Sequence, residues 1–323
     1  MRSGVSFSKW SHINQSDHFA NTDQFPDELI ESWFDEKSAD AWRHQRMYEG
    51  AGLLLKSKID KWVTIGDGRG GLDSIRLRKL GLKSVLATDI AENLLKRSKD
   101  LGKIPDYAIV NAENLPYENK SVDYFFCKES LHHFPQPYKA LYEFSRVARK
   151  GFILIEPNDP TEVIFKTDQI VSGGAIRRIK NTILAFLGKL RTSHFGISTT
   201  VGFNEPAWEP SGNYTYCFGR RDYERFAYGL GLPAFAIKGL NDHYVEGCEF
   251  EEADAKKSQK FKEILEVIKK KDQELKLGIG QADLNMVCFF SEVPDKNTQE
   301  IFKSNDWDFV SLTPNPYFIE NEE

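Results

Sequence analysis

The sequence predicts an α/β protein with a doubly wound, mainly parallel sheet, and three observations carry that prediction. Between about residues 60 and 160, short apolar runs alternate with amphipathic helical stretches. The first run, Trp62 to Ile65, opens into Gly66-Asp67-Gly68-Arg69-Gly70-Gly71 and then a helix from Leu72 to Leu80, apolar at Leu72, Ile75 and Leu80. The second run, Ser84 to Thr88, ends in Asp89-Ile90, with Asp89 18 residues beyond Gly71.

Each element can be justified in turn. Glycines at a strand-to-helix turn allow positive φ and let backbone N–H groups approach a ligand. Gly66-x-Gly68-x-x-Gly71 formally matches the dinucleotide fingerprint, although a plain glycine turn accounts for it equally well. An acid at the end of a second strand, as at Asp89, can accept both hydroxyls of a ribose. Helix 91–99 follows, then a third strand, Tyr107 to Val110, ending at Asn111-Ala112-Glu113. Ser121 to Cys127 reads as a fourth strand, leading into Lys128-Glu129-Ser130-Leu131-His132-His133-Phe134. Residues 138–149 form an amphipathic helix, and Gly151 to Ile155 a fifth strand ending at Glu156-Pro157-Asn158-Asp159.

Outside this core, residues 1–25 are polar and turn-rich and read as an arm or a frayed end. Pro26 suits a first helical position, with Leu29, Ile30, Trp33 and Phe34 on one face, and a second helix is expected from Ala39 to Leu55. The tryptophans there, Trp33 and Trp42, are expected to pack in a core rather than touch a ligand. Residues 160–215 interrupt the alternation. Within them, 169–204 hold no acid but carry Arg177, Arg178, Lys180, Lys189 and Arg191 beside an apolar helical stripe from Ile176 to Leu190. Aromatics including Trp208, Tyr214 and Tyr216 follow. The alternation resumes with a helix from Arg221 to Gly229, a strand from Ala234 to Lys238, a charged helix over 253–276 and a seventh strand from Leu284 to Phe290. The expected organisation is a helical cap over 1–58, a core over 59–159, a lid-type insertion over 160–215, the rest of the core over 216–292 and a tail over 293–323.

Composition narrows the class. Hydrophobic residues make up 40% and charged residues 28% of 323, as in a soluble globular chain. A net charge of −5 gives no global reason to bind nucleic acid or an anionic membrane. The four cysteines lie far apart without a Cys-x-x-Cys, the first fifteen residues lack an apolar signal core, and no apolar run reaches spanning length. The cytoplasm is the expected compartment. The expected partner is a small-molecule acceptor, with no nucleic acid and no stable membrane insertion, and a homodimer is left open.

Residues 60–160 together resemble a class I S-adenosylmethionine-dependent methyltransferase of the small-molecule branch that includes quinone and sugar methyltransferases. The resemblance implies the Rossmann-like, seven-stranded sheet of that fold, with S-adenosyl-L-methionine as methyl donor. No metal is expected, because His132, His133, Glu156 and Asp159 show no recognised metal-ligand spacing. It assigns donor contacts to Ile65, Gly66, Asp67, Gly68, Gly70, Asp89, Ile90, Asn111, Ala112, Glu113 and Lys128. Two positions depart from the family pattern. Thr64 stands where an acid is common, with Asp67 supplying an acid inside the loop, and Asn111 replaces the commoner aspartate of the adenine-side loop.

Methyl transfer from a sulfonium needs an in-line nucleophile and, for a hydroxyl, a proton acceptor. His132 and His133 follow the fourth strand and Glu156 ends the fifth, so these are the candidate catalytic residues; the resemblance favours His132 as the base. Glu129, Asn158, Asp159, Arg177, Arg178 and Tyr214 are the candidate acceptor-binding residues. The expected activity is O-methylation of a small polar acceptor, a sugar free or carried on a nucleotide or glycan, and hence carbohydrate modification. The alternatives are a methyltransferase for a quinone-like or other apolar metabolite, and a non-catalytic S-adenosylmethionine-binding subunit.

Overall fold

The computed structural model describes residues 7–21, 25–159 and 208–317. The helices are α1 (Phe7–Ala20), α2 (Asp27–Ser32), α3 (Ala39–Gln45), α4 (Glu49–Leu53), α5 (Leu72–Lys79), α6 (Asn93–Asp100), α7 (Pro137–Val147), α8 (Arg220–Gly229), α9 (Gln259–Lys276) and α10 (Lys296–Ser304). The strands are β1 (Lys61–Ile65), β2 (Ser84–Asp89), β3 (Tyr107–Ile109), β4 (Val122–Lys128), β5 (Ala148–Pro157), β6 (Ala234–Leu240), β7 (Leu284–Phe290) and β8 (Asp308–Ser311). They form one sheet in the order β3-β2-β1-β4-β5-β7-β6-β8. β1 to β5 run parallel, and β7 is antiparallel to both β5 and β6.

The doubly wound sheet expected from the sequence is present, but the strand count is eight rather than seven. The extra strand, β8, pairs antiparallel with β6, and together with α10 it lies in the stretch read as a tail. Two further elements differ. Residues 7–20, read as an arm, form α1. The helix expected from Ala39 to Leu55 is broken by a 3-10 turn at Arg46–Tyr48. That turn buries Met47 and Tyr48 against the sheet. After it, Gly50 lets α4 come so close to β7 and Trp307 that a Cβ there would lie 2.9 Å from Cys288 Sγ.

The sheet buries both faces because its strands alternate between two cores. Val63, Ile65, Phe125, Phe152, Leu154 and Phe289 point to one side, where Phe144 of α7 and Phe226 of α8 cover them. Trp62, Tyr124, Phe126, Ile153, Ile155 and Met286 point to the other, under Met47, Tyr48 and Phe302. Each such side chain contributes about 1.5–3 kcal/mol of burial. Ser38, Ser258 and Asp295 accept hydrogen bonds from the first turns of α3, α9 and α10.

The N-terminal helices are tied to the sheet's carboxyl edge by charge. Arg43, 3% exposed, sits between Asp40 and Asp242, with Nη1 2.7 Å from Asp40 Oδ1 and Nε 3.1 Å from Asp242 Oδ1. This anchors α3 to the loop after β6 and sets the cap over the ends of β1 and β4.

Gly151 marks the tightest strand contact, because a Cβ there would fall 2.2 Å from the Phe289 carbonyl oxygen. We expect Gly151→Ala to destabilise the protein by about 1–3 kcal/mol, the usual cost of overpacking. Urea denaturation should show a lower midpoint with an unchanged slope; an unchanged midpoint would mean that β5 and β7 can separate without cost.

Candidate active site

A cavity of about 750 Å³ opens at the carboxyl ends of β1, β2 and β4. This is the switch point of an open α/β sheet, where helix N-termini and loop N–H groups converge. It is lined by Ile65 to Arg69, Asp89-Ile90, Val110 to Glu113 and Lys128 to Ser130, and by His132 to Phe134. The N-terminal cap adds Gln15, His18, Phe19, Phe25, Trp33 and His44. Trp33 is thus both 6% exposed in a core cluster and part of the wall, while Trp42 packs on Phe261, as expected of a core tryptophan.

The glycine loop is shaped by close approach. Gly66 has φ +71°, and a Cβ on it would fall 2.4 Å from Ser130 Cβ. Ser130 Oγ donates to the Gly66 carbonyl at 2.9 Å, joining the glycine loop to the turn after β4. At Gly68 a Cβ would lie 3.0 Å from Asp89 Oδ2, so the glycine keeps the space over that carboxylate clear. Asp89 Oδ1 accepts from Ala91 N at 2.8 Å, and burial pushes its carboxyl up to about 6. Gly70 does not line the cavity: a Cβ there would meet Ser98 Oγ at 2.6 Å and Phe34 at 3.2 Å.

The loop acid has a different task from the one its position suggests. Asp67 accepts from Asp73 N and Ser74 N at 2.9 Å each, capping α5, and Thr64 Oγ1 donates to it at 2.8 Å. Thr64 and Asp67 therefore form one unit that fixes the helix. Asn111 Oδ1 accepts from Glu113 N at 2.8 Å, closing a local turn, and Glu113 in turn accepts from Gln136 N at 2.7 Å.

One end of the cavity is charged. Lys128 Nζ lies 3.1 Å from Glu129 Oε2 and 3.8 Å from Asp73 Oδ1, and His44 Nδ1 lies 3.4 Å from Glu129. Tyr48 donates to Asp73, and Arg69 and Arg76 complete the wall. Arg76 Nη1 is buried without a hydrogen-bond partner. Burial works against the charged form of Glu129, but Lys128, His44 and Arg69 outweigh it and hold its carboxyl well below the ordinary range. Glu129 also has φ +49°, a strained value for a residue with a side chain.

The other end holds the histidines. Glu156 is fully buried; its Oε1 accepts from Ser130 N at 3.1 Å and Leu131 N at 2.9 Å, and its Oε2 lies 2.6 Å from His132 Nδ1. Burial alone would lower the His132 pKa, but the Glu156 charge and hydrogen bond raise it above the ordinary histidine value. His133 Nδ1 pairs with Glu209 Oε1 at 2.5 Å, and burial and the neighbouring His132 lower its pKa.

Of the sequence-predicted residues, Glu129, His132, His133 and every donor candidate except Gly70 line the cavity, while Glu156 stands behind His132. Asn158 is instead a joint between β5 and β7, donating to the Ala282 carbonyl and accepting from Asn285. Tyr214 packs on Trp208 and Tyr216 outside the cavity, and Asp159 does not line it either. Arg177 and Arg178 lie outside the described residues. Among the described residues, Asp40, Cys248 and Glu249 are close enough to share a metal ion, beside Arg43 and His44. Sequence reasoning missed Glu209, Asp73, Arg76 and the α1 residues. None lies in a recognised motif; the [Asp]-x-x-[Arg] pair at the start of α5 reads as ordinary helix surface.

Part of the chain matches known methyltransferases. Residues 63–155 match a family model described as a methyltransferase domain. The chain is 26% identical over 139 residues to phthiotriol/phenolphthiotriol dimycocerosates methyltransferase 1 of Mycobacterium ulcerans (strain Agy99), covering 42% of this chain and 51% of that protein. It is 30% identical over 107 residues to 27-O-demethylrifamycin SV methyltransferase of Amycolatopsis mediterranei (strain S699), covering 31% and 39%. It therefore spans about half the length, or less, of these relatives. Among solved structures, magnesium protoporphyrin IX methyltransferase from Synechocystis PCC 6803 with bound S-adenosylhomocysteine is similar at a TM-score of 0.44 and 14% identity, over 86% of this chain and 99% of that one. Residues 63–155 thus match a methyltransferase domain, and the sheet is that of the class I S-adenosylmethionine-dependent methyltransferase fold.

Proposed function

We propose that the protein is an S-adenosylmethionine-dependent O-methyltransferase acting on a hydroxyl of a small polar acceptor, a sugar or a sugar-bearing molecule. The observation that carries this reading is the His132–Glu156 dyad at the end of a cavity whose other walls suit the donor. Asp89 would take the ribose hydroxyls in the space that Gly68 leaves open. Asn111 and Ala112 would flank the adenine.

The charged end suits the amino-acid end of the donor, which bears both signs. With Asp67 committed to α5, Glu129 and Asp73 are the acids at hand for its ammonium, and the unpartnered Arg76 Nη1 suits its carboxylate. When bound, S-adenosylmethionine supplies an electrophilic methyl group and its own thioether leaving group. The chain's task is then to hold the acceptor oxygen in line and to take its proton. Glu156 fixes the hydrogen on His132 Nδ1, which leaves Nε2 as the proton acceptor. The acceptor O–H bond breaks toward Nε2 as the oxygen takes the methyl group, and His132 ends as an imidazolium paired with Glu156.

A second reading, an apolar acceptor, is favoured by Phe19, Phe134 and Trp208 in the wall. An acceptor panel of sugars and hydrophobic alcohols with labelled donor separates the two readings.

Asp89→Ala is expected to weaken donor binding by about 1.5–3 kcal/mol in calorimetry, the scale of lost charge-assisted hydrogen bonds. Because Asp89 titrates near 6 and accepts best when ionised, donor affinity should also fall as pH drops through about 6 in the wild type, and not in the variant. Unchanged affinity in Asp89→Ala would remove the ribose assignment.

His132→Ala is expected to lower kcat by about 10²–10⁴-fold with little change in donor Kd. The base must be neutral to act, and its pKa is raised, so wild-type kcat should climb with pH along a limb centred above the ordinary histidine value. Glu156→Gln keeps an oxygen for Ser130 and Leu131 but faces His132 Nδ1 with a donor, so it should fold and lose most turnover. A His132→Ala enzyme with a wild-type rate would discard the dyad as the base.

A further inference from the structure

His133 and Glu209 form a second dyad that the single proton transfer above does not use. The two imidazole rings lie 3.9 Å apart between centroids at an interplanar angle of 43°, and both line the same cavity. Each is oriented through Nδ1 by its own carboxylate, His132 by Glu156 and His133 by Glu209. Glu209 is itself held: Ser211 Oγ donates to it at 3.1 Å and Thr215 Oγ1 at 3.2 Å.

A tie between the turn after β4 and the 208–215 segment would explain this pair more simply, but that tie already exists elsewhere. The His133 carbonyl accepts from Gln15 Nε2 at 3.0 Å and from Asn213 Nδ2 at 3.1 Å, and Tyr216 N donates to the His132 carbonyl at 3.2 Å. The backbone of the turn is thus pinned from α1 and from the returning segment without the His133 ring. The Glu209–His133 pair fixes the ring's tautomer and tilt, which is what a ligand-facing imidazole needs.

We propose that the acceptor seat is built for two neighbouring hydroxyls on one molecule, a vicinal diol, with His132 serving the hydroxyl that is methylated and His133 holding the other. This rests on the methyltransferase reading above and narrows its acceptor class. Each imidazole faces its own carboxylate through Nδ1, so with both rings neutral each leaves Nε2 as an acceptor. Two adjacent hydroxyls, each donating one hydrogen, can satisfy both nitrogens.

The test uses the full chain saturated with S-adenosylhomocysteine and two chromophoric probes, 4-nitrocatechol and 4-nitrophenol, titrated by absorbance. The expected Kd is about tenfold lower for the nitrocatechol, the value of one further hydrogen bond in a partly buried site. In His133→Phe, which keeps a ring against Phe19 and His132, the ratio of the two constants should fall to near one. Equal Kd values in the wild type, or a ratio that survives His133→Phe, overturn the diol seat and leave the methyltransferase reading standing. Calorimetry showing that S-adenosylhomocysteine does not bind overturns the donor reading, and the diol seat with it.

Discussion

The site depends on one buried carboxylate. Glu156 has no exposed surface, and an ionised group there is tolerable only with its acceptor sites filled. It collects the backbone N–H groups of Ser130 and Leu131 and the ring of His132. The β4–β5 register sets this up: Lys128 lies opposite Ile155, so Glu156 comes next, under the turn that leaves β4. Ser130 then reaches the Gly66 carbonyl across a contact that only a glycine permits. The glycine loop, the proposed base His132 and the fifth strand are thereby joined by direct hydrogen bonds.

The same economy explains the departure from the family pattern at Thr64. Moving an acid from residue 64 to residue 67 changes what it does, because at 67 it lies over the first turn of α5 and meets its free N–H groups. Thr64, fully buried in β1, survives there by donating to that acid. In the proposed donor mode Glu129 and Asp73 supply the negative charge for the ammonium, and Lys128 lies beside both to balance their burial. Lys128 keeps its proton for this reason: burial would strip it, but Asp73 and Glu129 hold the pKa above the ordinary lysine value.

Much of this was legible in the residue order, for identifiable reasons. β7 has the same ends in the sequence reading and the structure, since Leu284 to Phe290 is apolar except at Asn285 and buried on both faces. Asp89 and the glycines were legible because their spacing is imposed by a strand–turn–helix–strand unit. α1 was not, because it is held by polar latches, Gln15 to the His133 carbonyl and Ser11 to Asn213, which leave no apolar periodicity. β8 was not, because a short half-exposed edge strand among prolines and acids looks like a tail. Glu209 meets His133 across 76 positions of sequence, a contact with no local signature.

The division of the cavity between matched and unmatched chain has a consequence for specificity. The family model covers residues 63–155, and every group proposed for the ribose and adenine falls inside it. His132 also falls inside it, and Glu156 lies just beyond its end. Facing them are Gln15, His18 and Phe19 from α1, and Trp208, Glu209 and Thr215 from the returning segment, all outside the match. A shared donor half requires only that the glycine loop, Asp89 and the adenine turn be kept, whereas the opposite wall is free to change with the acceptor. Low identity to relatives with different named substrates is then what this architecture produces. On the proposed reading the acceptor would be chosen by α1 and the segment around Glu209, which meet through Ser11 and Asn213 and both reach the turn that carries the histidine pair.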